Sequence, residues 1–179
     1  VDSTAIEANT CWPSESALIY GFLSRIHRLL KQQSAYTDVE YASKLVERWL
    51  KQIADLHRTI NLLPARPGSV AERRKLYRRL LAIAEKAKSK LRELLNARRD
   101  EMKSCCIQPS LRIRVDNILK QIDTDFDEAG KAVTSARARV LHAQSVSASE
   151  KVFSLADPDA YMIVKGGREP VVGYKPQLG

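Results

Sequence analysis

The sequence has few aromatic residues and few cysteines, and it has no long apolar run. Aromatic residues make up 6% of its 179 residues, and they are not interleaved with basic residues as they are on the stacking platforms of single-strand-binding proteins. The three cysteines are too few for a disulfide framework and lack a Cys or His pair at zinc-ligand spacing, so we expect reduced thiols. The first apolar stretch is too short and too interrupted for a signal peptide or a membrane span. These absences favour a cytoplasmic protein without a membrane partner.

The bulk composition is typical of a folded globular domain. Hydrophobic residues make up 44% and charged residues 28% of the chain, and the length is sufficient for one domain with its own core. The chain begins at Val1, without an initiator methionine.

The net charge of +9 is concentrated in one segment. Residues 66–104 contain thirteen Lys and Arg against five Asp and Glu, whereas residues 1–65 contain seven of each, 105–145 six against five, and 146–179 four of each. A basic segment suits a nucleic-acid backbone, whose charge density dominates sequence-independent affinity. A solvated helix face is the alternative. The candidates for backbone contacts are Arg73, Arg74, Arg78, Arg79 and Lys86.

Apolar residues at three-to-four spacing predict two amphipathic helices in the first part of the chain. A Pro-Ser-Glu sequence at 13–15 starts the first, which should end near Gln33. Thr37 or Asp38 can cap the second, which should end before Pro64.

The same spacing predicts two further helices. The third follows Ser69, is longer and contains the excess of positive charge. The fourth begins at Pro109 and fades toward Gln144. Four amphipathic helices with short connections favour antiparallel packing.

Both ends of the chain have β-type patterns. Near the C-terminus, Val152–Leu155, Ala160–Val164 and Val171–Tyr174 are β-rich runs separated by turn sequences. A lone hairpin is marginally stable, so the extended segment Val1–Ala8 is the expected partner. We therefore predict an α+β fold, in which antiparallel strands are interrupted by a large helical insert.

Two stretches resemble bacterial insertion-sequence DDE transposases. One is the start of the chain, VDSTAIEANTCWPSESALIYGFLSRIHRLL. It is similar to the family's segment around the first catalytic aspartate, where an Asp-Ser/Thr-Thr strand precedes an Asn, an aromatic-Pro pair and a Leu-rich helix. The other is the end, EKVFSLADPDAYMIVKGGREPVVGYKPQLG, which is similar to the family's next strands, with a Ser-x-x-Asp-Pro-Asp turn, a Lys-Gly and a Gly-Tyr-Lys. Together they cover roughly a third of the chain, in the family's order.

The resemblance implies a partial RNase H-like domain with its first strand in residues 1–12, a helical insert in 13–145 and further antiparallel strands in 146–179. It implies an Asp-Asp-Glu triad that uses two Mg²⁺ or Mn²⁺ ions to cleave and join DNA, and it places the first triad aspartate, a metal ligand, at Asp2. In the family the second Asp and the Glu come later, so we expect both beyond Gly179 and no activity from this part alone. The implied partners are transposon ends and target DNA, with a homodimer at synapsis and a nucleoid location.

Other carboxylates have simpler interpretations. Asp157 and Asp159 lie in an Asp-Pro-Asp sequence that is typical of a turn. Glu7 is an odd number of residues from Asp2, so it should point to the other face of a strand and be a surface charge.

The histidines and the last basic residues complete the set of candidates. His27, His57 and His142 lie far apart on predicted helices, which argues against a metal cluster. Near the predicted strand turns, the candidates for contacts with DNA phosphates are Lys165, Arg168 and Lys175.

Two hypotheses from other classes remain open. In the first, the chain is a non-enzymatic nucleic-acid-binding or regulatory helical bundle, Asp2 is incidental and the basic third helix is the binding surface. In the second it is a structural coiled-coil scaffold, which leaves the terminal strands without a role.

Overall fold

A computed structural model describes most of the helical part of the chain and short pieces of the rest. The described residues are 6–7, 14–37, 43–64, 66–104, 108–147, 151–152, 155, 161–163 and 171–174, with the backbone alone for 6–7, 34–37, 161–163 and 171–174.

Four long helices form the body of the structure. They are α1 Glu15–Thr37, α2 Lys44–Leu62, α3 Val70–Ser104 and α4 Pro109–Ala136. A 3₁₀ turn, Pro67–Ser69, precedes α3, and a π-helical turn, Arg137–Leu141, extends α4. The four helices occupy the segments that the apolar spacing predicts.

The start of α2 differs from the prediction. Ser43 caps this helix, and its side chain accepts a hydrogen bond from the Val46 amide at 3.3 Å. Thr37 is instead the last residue of α1, because α1 runs past the predicted end near Gln33. Thr37 therefore ends one helix and does not cap the next.

Helix α1 is at the centre of the bundle. It packs against α4, α2 and α3, and α2 and α3 form a further packed pair. The largest fully buried side chains come from all four helices, with Phe22 and Ile26 on α1, Ile53 on α2 and Leu91 on α3. Each apolar stripe is thus covered by a neighbouring helix, which stabilises helices that would be marginal alone.

Three short strands lie near the chain ends. They are β1 Ile6–Glu7, β2 Tyr161–Ile163 and β3 Val171–Tyr174, and they pair antiparallel in the order β1-β3-β2. Ile6 lies opposite Tyr174, and Tyr161 lies opposite Gly173.

The predicted α+β class with a partial RNase H-like domain is wrong, because the described part of the chain is an all-α fold. Every buried apolar side chain that the structure describes lies on α1, α2, α3 or α4. The strands are two, three and four residues long and add no described side chain to that core. The run Val152–Leu155 has no strand at its described positions, where Val152 and Leu155 pack against the helical core. Short β-rich runs are weak evidence for a β-strand, because the same residue types are also favoured in any half-buried extended segment.

Candidate nucleic-acid interface

The N-terminal half of α3 presents a stripe of positive charge. Lys75, Arg79 and Lys86 are spaced by four and seven residues, which places them on one face of the helix. Arg78 lies beside them, and all four side chains are exposed. We call these four residues the α3 stripe. The opposite face of the same helix carries the core residues, including Leu80, Leu81, Ala84, Ala87 and Leu91.

The α3 stripe is not neutralised within the described part of the chain. None of its four side chains forms an ion pair or hydrogen bond with a described residue. Further along α3 the pattern changes, because Lys88 pairs with Glu85 at 3.1 Å and Lys90 with Glu93 at 2.6 Å. The α3 stripe therefore spans about three turns near the start of α3 without an acidic partner among the described residues.

Two of the five predicted contact residues on α3 have structural partners instead. Arg73 donates to the backbone carbonyl oxygens of Leu63 at 3.1 Å and Pro64 at 3.4 Å. Arg74 donates through Nε to the carbonyl oxygen of Val140 at 3.2 Å. Both arginines are half-buried. They fix α3 to the end of α2 and to the π-helical turn, which leaves less of each guanidinium for a phosphate.

Lys75 is the stripe residue that the prediction did not include. Its signal in the sequence is the helical spacing to Arg79 and Lys86, which places all three on one face. The carbonyl partners of Arg73 are nine and ten residues away along the chain, and that of Arg74 is 66 residues away. The charge pattern alone therefore does not distinguish these two arginines from the exposed basic residues.

The predicted metal ligand and the remaining predicted contacts lie outside the described residues. These positions are Asp2, Lys165, Arg168 and Lys175, and the same holds for the turn carboxylates Asp157 and Asp159. Glu7 lies on β1, opposite Gly173. In the part of the chain that the structure describes, no group of three His, Cys, Asp or Glu residues is arranged to hold a metal ion.

A small polar cleft lies between α1 and α2. The lining includes Tyr20, His57, Arg58 and Asn61, and the volume is about 310 Å³. His57 Nδ1 is 2.9 Å from the Oγ atom of buried Ser16, and its Nε2 is 3.2 Å from Asn61 Nδ2. Ser16 and His57 are 41 residues apart, so the sequence offers no local motif for this cluster.

The three histidines are not gathered in one place. His27 Nε2 lies 3.7 Å from a Glu47 carboxylate oxygen between α1 and α2, His57 lines the cleft, and His142 is exposed after the π-helical turn. Burial lowers the pKa of His27, with Glu47 opposing that shift and Lys31 adding to it. Burial also lowers the pKa of His57.

These lowered pKa values predict a loss of stability on acidification. A histidine with a folded pKa below its unfolded value binds fewer protons when folded, so its stabilising contribution is present above the unfolded pKa and is lost as the pH falls. We expect the melting temperature to fall between about pH 8 and pH 5, and His57→Gln to make that fall shallower. Thermal unfolding across this range measures the effect. The exposed His142→Gln is the control, and a profile unaltered by His57→Gln would contradict the prediction.

No described helix has the length and apolar character needed to cross a membrane. Comparisons with protein-family models, with curated proteins and with solved structures gave no match to this chain.

Proposed function

We propose that this chain is a DNA-binding part of a DDE-type transposase, and that the α3 stripe holds the phosphate backbone. The single observation that carries the proposal is the set of four exposed, unpaired basic side chains on one helix face. An uncompensated stripe of this kind raises the local potential and attracts a polyanion.

The dimensions of the stripe suit a nucleic-acid backbone. Lys75 and Lys86 are eleven residues apart, which at the helical rise corresponds to about 16 Å along the axis. Duplex DNA carries one charge per 1.7 Å of its axis, so several phosphates lie within reach of the four side chains. Backbone contacts alone give sequence-independent binding, and base contacts would have to supply any preference for a particular transposon end.

The assignment to a transposase is supported by the two stretches that resemble that family. They lie at opposite ends of the chain, and the pairing of β1 with β3 brings them together, with Glu7 opposite Gly173. In the proposed function, Asp2 would hold Mg²⁺ or Mn²⁺ together with a second Asp and a Glu from elsewhere in the protein. Two such ions would supply Lewis-acid chemistry for an attacking water or 3′-hydroxyl and for the leaving oxygen.

The wider expectations of the transposase hypothesis are part of the proposal. Transposon ends and target DNA are the partners, two copies of the protein meet at synapsis, and the protein is located with the nucleoid. Hydrolysis and joining of DNA strands require the complete metal site, so the proposed role of this chain by itself is binding.

A non-enzymatic DNA-binding bundle is the second candidate. The observation that favours it is that the α3 stripe lies wholly on an all-α body whose described core contains helical residues alone. In that case the stripe is the functional surface and Asp2 has no catalytic role. Both candidates share the same DNA-binding surface.

Neutralising the α3 stripe should remove most of the affinity for duplex DNA. The test variant is Lys75→Gln, Arg78→Gln, Arg79→Gln and Lys86→Gln together. If each side chain neutralises one phosphate, the slope of log K against log salt should become shallower by about 3.6. Binding of a blunt duplex to the whole chain, titrated between about 50 and 200 mM salt, measures the change in slope. In the wild type, four such contacts correspond to a roughly 150-fold loss of affinity over that rise in salt, and the variant should lack this part of the salt dependence.

A matched control distinguishes the effect of the α3 stripe on DNA binding from the effect of a lower net charge. Glutamine replacements at four exposed basic residues on the other helices remove the same charge without touching α3, and they should leave most of the slope intact. An equal effect of both variants, or no effect of the stripe variant, would overturn the proposed DNA-binding surface. The control residues are Arg28, Arg48, Arg112 and Lys120.

A further inference from the structure

The cleft between α1 and α2 has an aromatic wall. The rings of Tyr20 and His57 are stacked, with an interplanar angle of 11° and centroids 6.4 Å apart. The nearby side chains include Ala54, which is small, and Leu62, which is 78% exposed. A volume of about 310 Å³ is at the lower end of the range for small-ligand sites. Stacked rings beside an exposed apolar side chain favour a planar heteroaromatic guest over a compact anion.

The polar groups of the cleft are oriented by a hydrogen-bonded cluster. Asn61 Nδ2 lies 3.2 Å from His57 Nε2, and His57 Nδ1 lies 2.9 Å from Ser16 Oγ. Because an amide nitrogen only donates, we assign Nε2 as the acceptor and place the ring proton on Nδ1. Ser16 Oγ also lies 3.0 Å from Ser14 Oγ. This arrangement occupies the amide nitrogen of Asn61 and leaves its Oδ1 atom, which Ser14 Oγ meets only at 3.5 Å, as an acceptor for an amino group.

The cleft and the α3 stripe lie toward the same end of the bundle. The lining residues on α2 belong to its C-terminal half, and the hydrogen bonds from Arg73 to Leu63 and Pro64 hold the first turn of α3 beside the end of α2. Lys75 is two residues after Arg73. The N-terminal end of the stripe and the α2 side of the cleft therefore both lie toward the junction of α2 with α3.

We propose that the cleft binds an unpaired nucleobase with an exocyclic amino group, adenine or cytosine, in the DNA held by the α3 stripe. The base extends the stack of Tyr20 and His57, and its amino group donates to Asn61 Oδ1. The exposed guanidinium of Arg58, which is held only loosely by Asp55 at 3.6 Å, lies at the rim of the cleft for the adjoining phosphate. This inference rests on the proposed function, since the stripe supplies the DNA.

The test compares three DNA probes on the whole chain. They are a blunt duplex, the same duplex with a short single-stranded overhang of adenine nucleotides, and the same overhang with abasic sugars in place of the adenine nucleotides. The two overhang probes have equal numbers of phosphates, so the difference between their binding affinities reports the contribution of the base alone. We expect the adenine overhang to bind about 5- to 150-fold more tightly than the abasic overhang, the range for one stacked base.

Two variants of the cleft should remove that preference. Tyr20→Leu keeps an apolar side chain against the core but deletes the ring, and Asn61→Leu changes an exposed residue and so keeps the fold. Both should bind the adenine and abasic overhangs equally while binding the blunt duplex as the wild type does. The exposed Gln52→Ala on α2 is the control and should keep the preference.

The outcomes distinguish the two proposals. Equal binding of the adenine and abasic overhangs by the wild type overturns the base site and leaves the α3 stripe intact. If the wild type binds no DNA, the proposed function fails, and the base site is then judged by titrating free deoxyadenosine into ¹⁵N-histidine-labelled protein. Saturable chemical-shift changes at His57 that Asn61→Leu removes would support the site, and their absence would overturn it.

Discussion

Replacing Asp125 with alanine should lower the free energy of unfolding by about 3–5 kcal/mol, because it leaves a buried charge without its partner. Asp125 lies on α4 and is fully buried. Its carboxylate accepts Arg25 Nε at 2.7 Å, Arg25 Nη2 and Gln121 Nε2 at 3.0 Å. The pair joins the central helix α1 to its main neighbour α4. Thermal or urea unfolding of the whole chain measures the loss, which for a chain of this size corresponds to roughly 6–20 °C in Tm.

The expected effect is large because Asp125 is the only acid that pairs with Arg25 among the residues the structure describes. Its side chain is 18% exposed, its Nη1 atom donates to the Leu155 carbonyl oxygen at 2.7 Å, and its guanidinium lies 5.4 Å from the Phe22 ring centroid. Without Asp125 the guanidinium keeps these contacts but loses its counter-charge in a poorly hydrated position.

Two further variants make this prediction sharp. Asp123→Ala removes another carboxylate of α4, the one that pairs with Arg99. Because Asp123 is 49% exposed, the loss in the free energy of unfolding should stay below about 1 kcal/mol. Arg25→Met combined with Asp125→Leu replaces both charges by apolar groups and should recover part of the stability. If Asp125→Ala lowers the free energy of unfolding no more than Asp123→Ala does, the prediction is wrong. The Arg25–Asp125 pair would then behave as a water-exposed ion pair.

The four helices could be predicted because each has a long apolar stripe with a period that only a helix satisfies. On α1 the stripe includes Leu18, Phe22 and Ile26, all buried, and on α4 it includes Val115 and Leu119. Over helices of 19 to 35 residues, the apolar pattern outweighs the helix propensities of individual residues. Stripes of this length need partners, and four of them can cover one another.

The fold class could not be predicted from the short β-rich runs. Val152 and Leu155 are apolar because they pack against the helical bundle, and this role needs the same residue types as a strand. Leu155 meets α1 where Gly21 has no side chain; a Cβ atom there would lie 2.8 Å from Leu155 Cδ2. Nothing in the local sequence distinguishes that docking from strand pairing.

The candidate interface was predictable as a segment but not residue by residue. Charge counts locate the basic helix, and helical spacing locates its exposed face. Which basic residues are free depends on backbone carbonyl groups at Leu63, Pro64 and Val140, and these come into place only when the helices pack. The cleft at His57 is a still clearer case, since its polar cluster joins α1 to α2 across 41 residues.

Asp2→Asn in the intact protein that contains this chain should abolish DNA cleavage and strand transfer while leaving DNA binding unchanged. An amide is a neutral, weaker ligand for a hard divalent cation than a carboxylate, and a two-metal mechanism depends on the exact placement of both ions. In the proposed function, the α3 stripe binds the DNA backbone independently of the metal site. Strand-transfer assays with Mg²⁺ or Mn²⁺, together with duplex binding at matched salt, measure the two properties separately.

The matched control is Glu7→Gln, which also converts a carboxylate to an amide near the start of the chain. Glu7 should face away from Asp2 on an extended segment, so this variant should retain strand transfer. Full activity of Asp2→Asn would overturn the catalytic assignment and favour the non-enzymatic bundle, in which loss of the α3 stripe remains the damaging change. Loss of activity in both variants would instead point to a structural role for this segment, because removing either charge would then have the same effect.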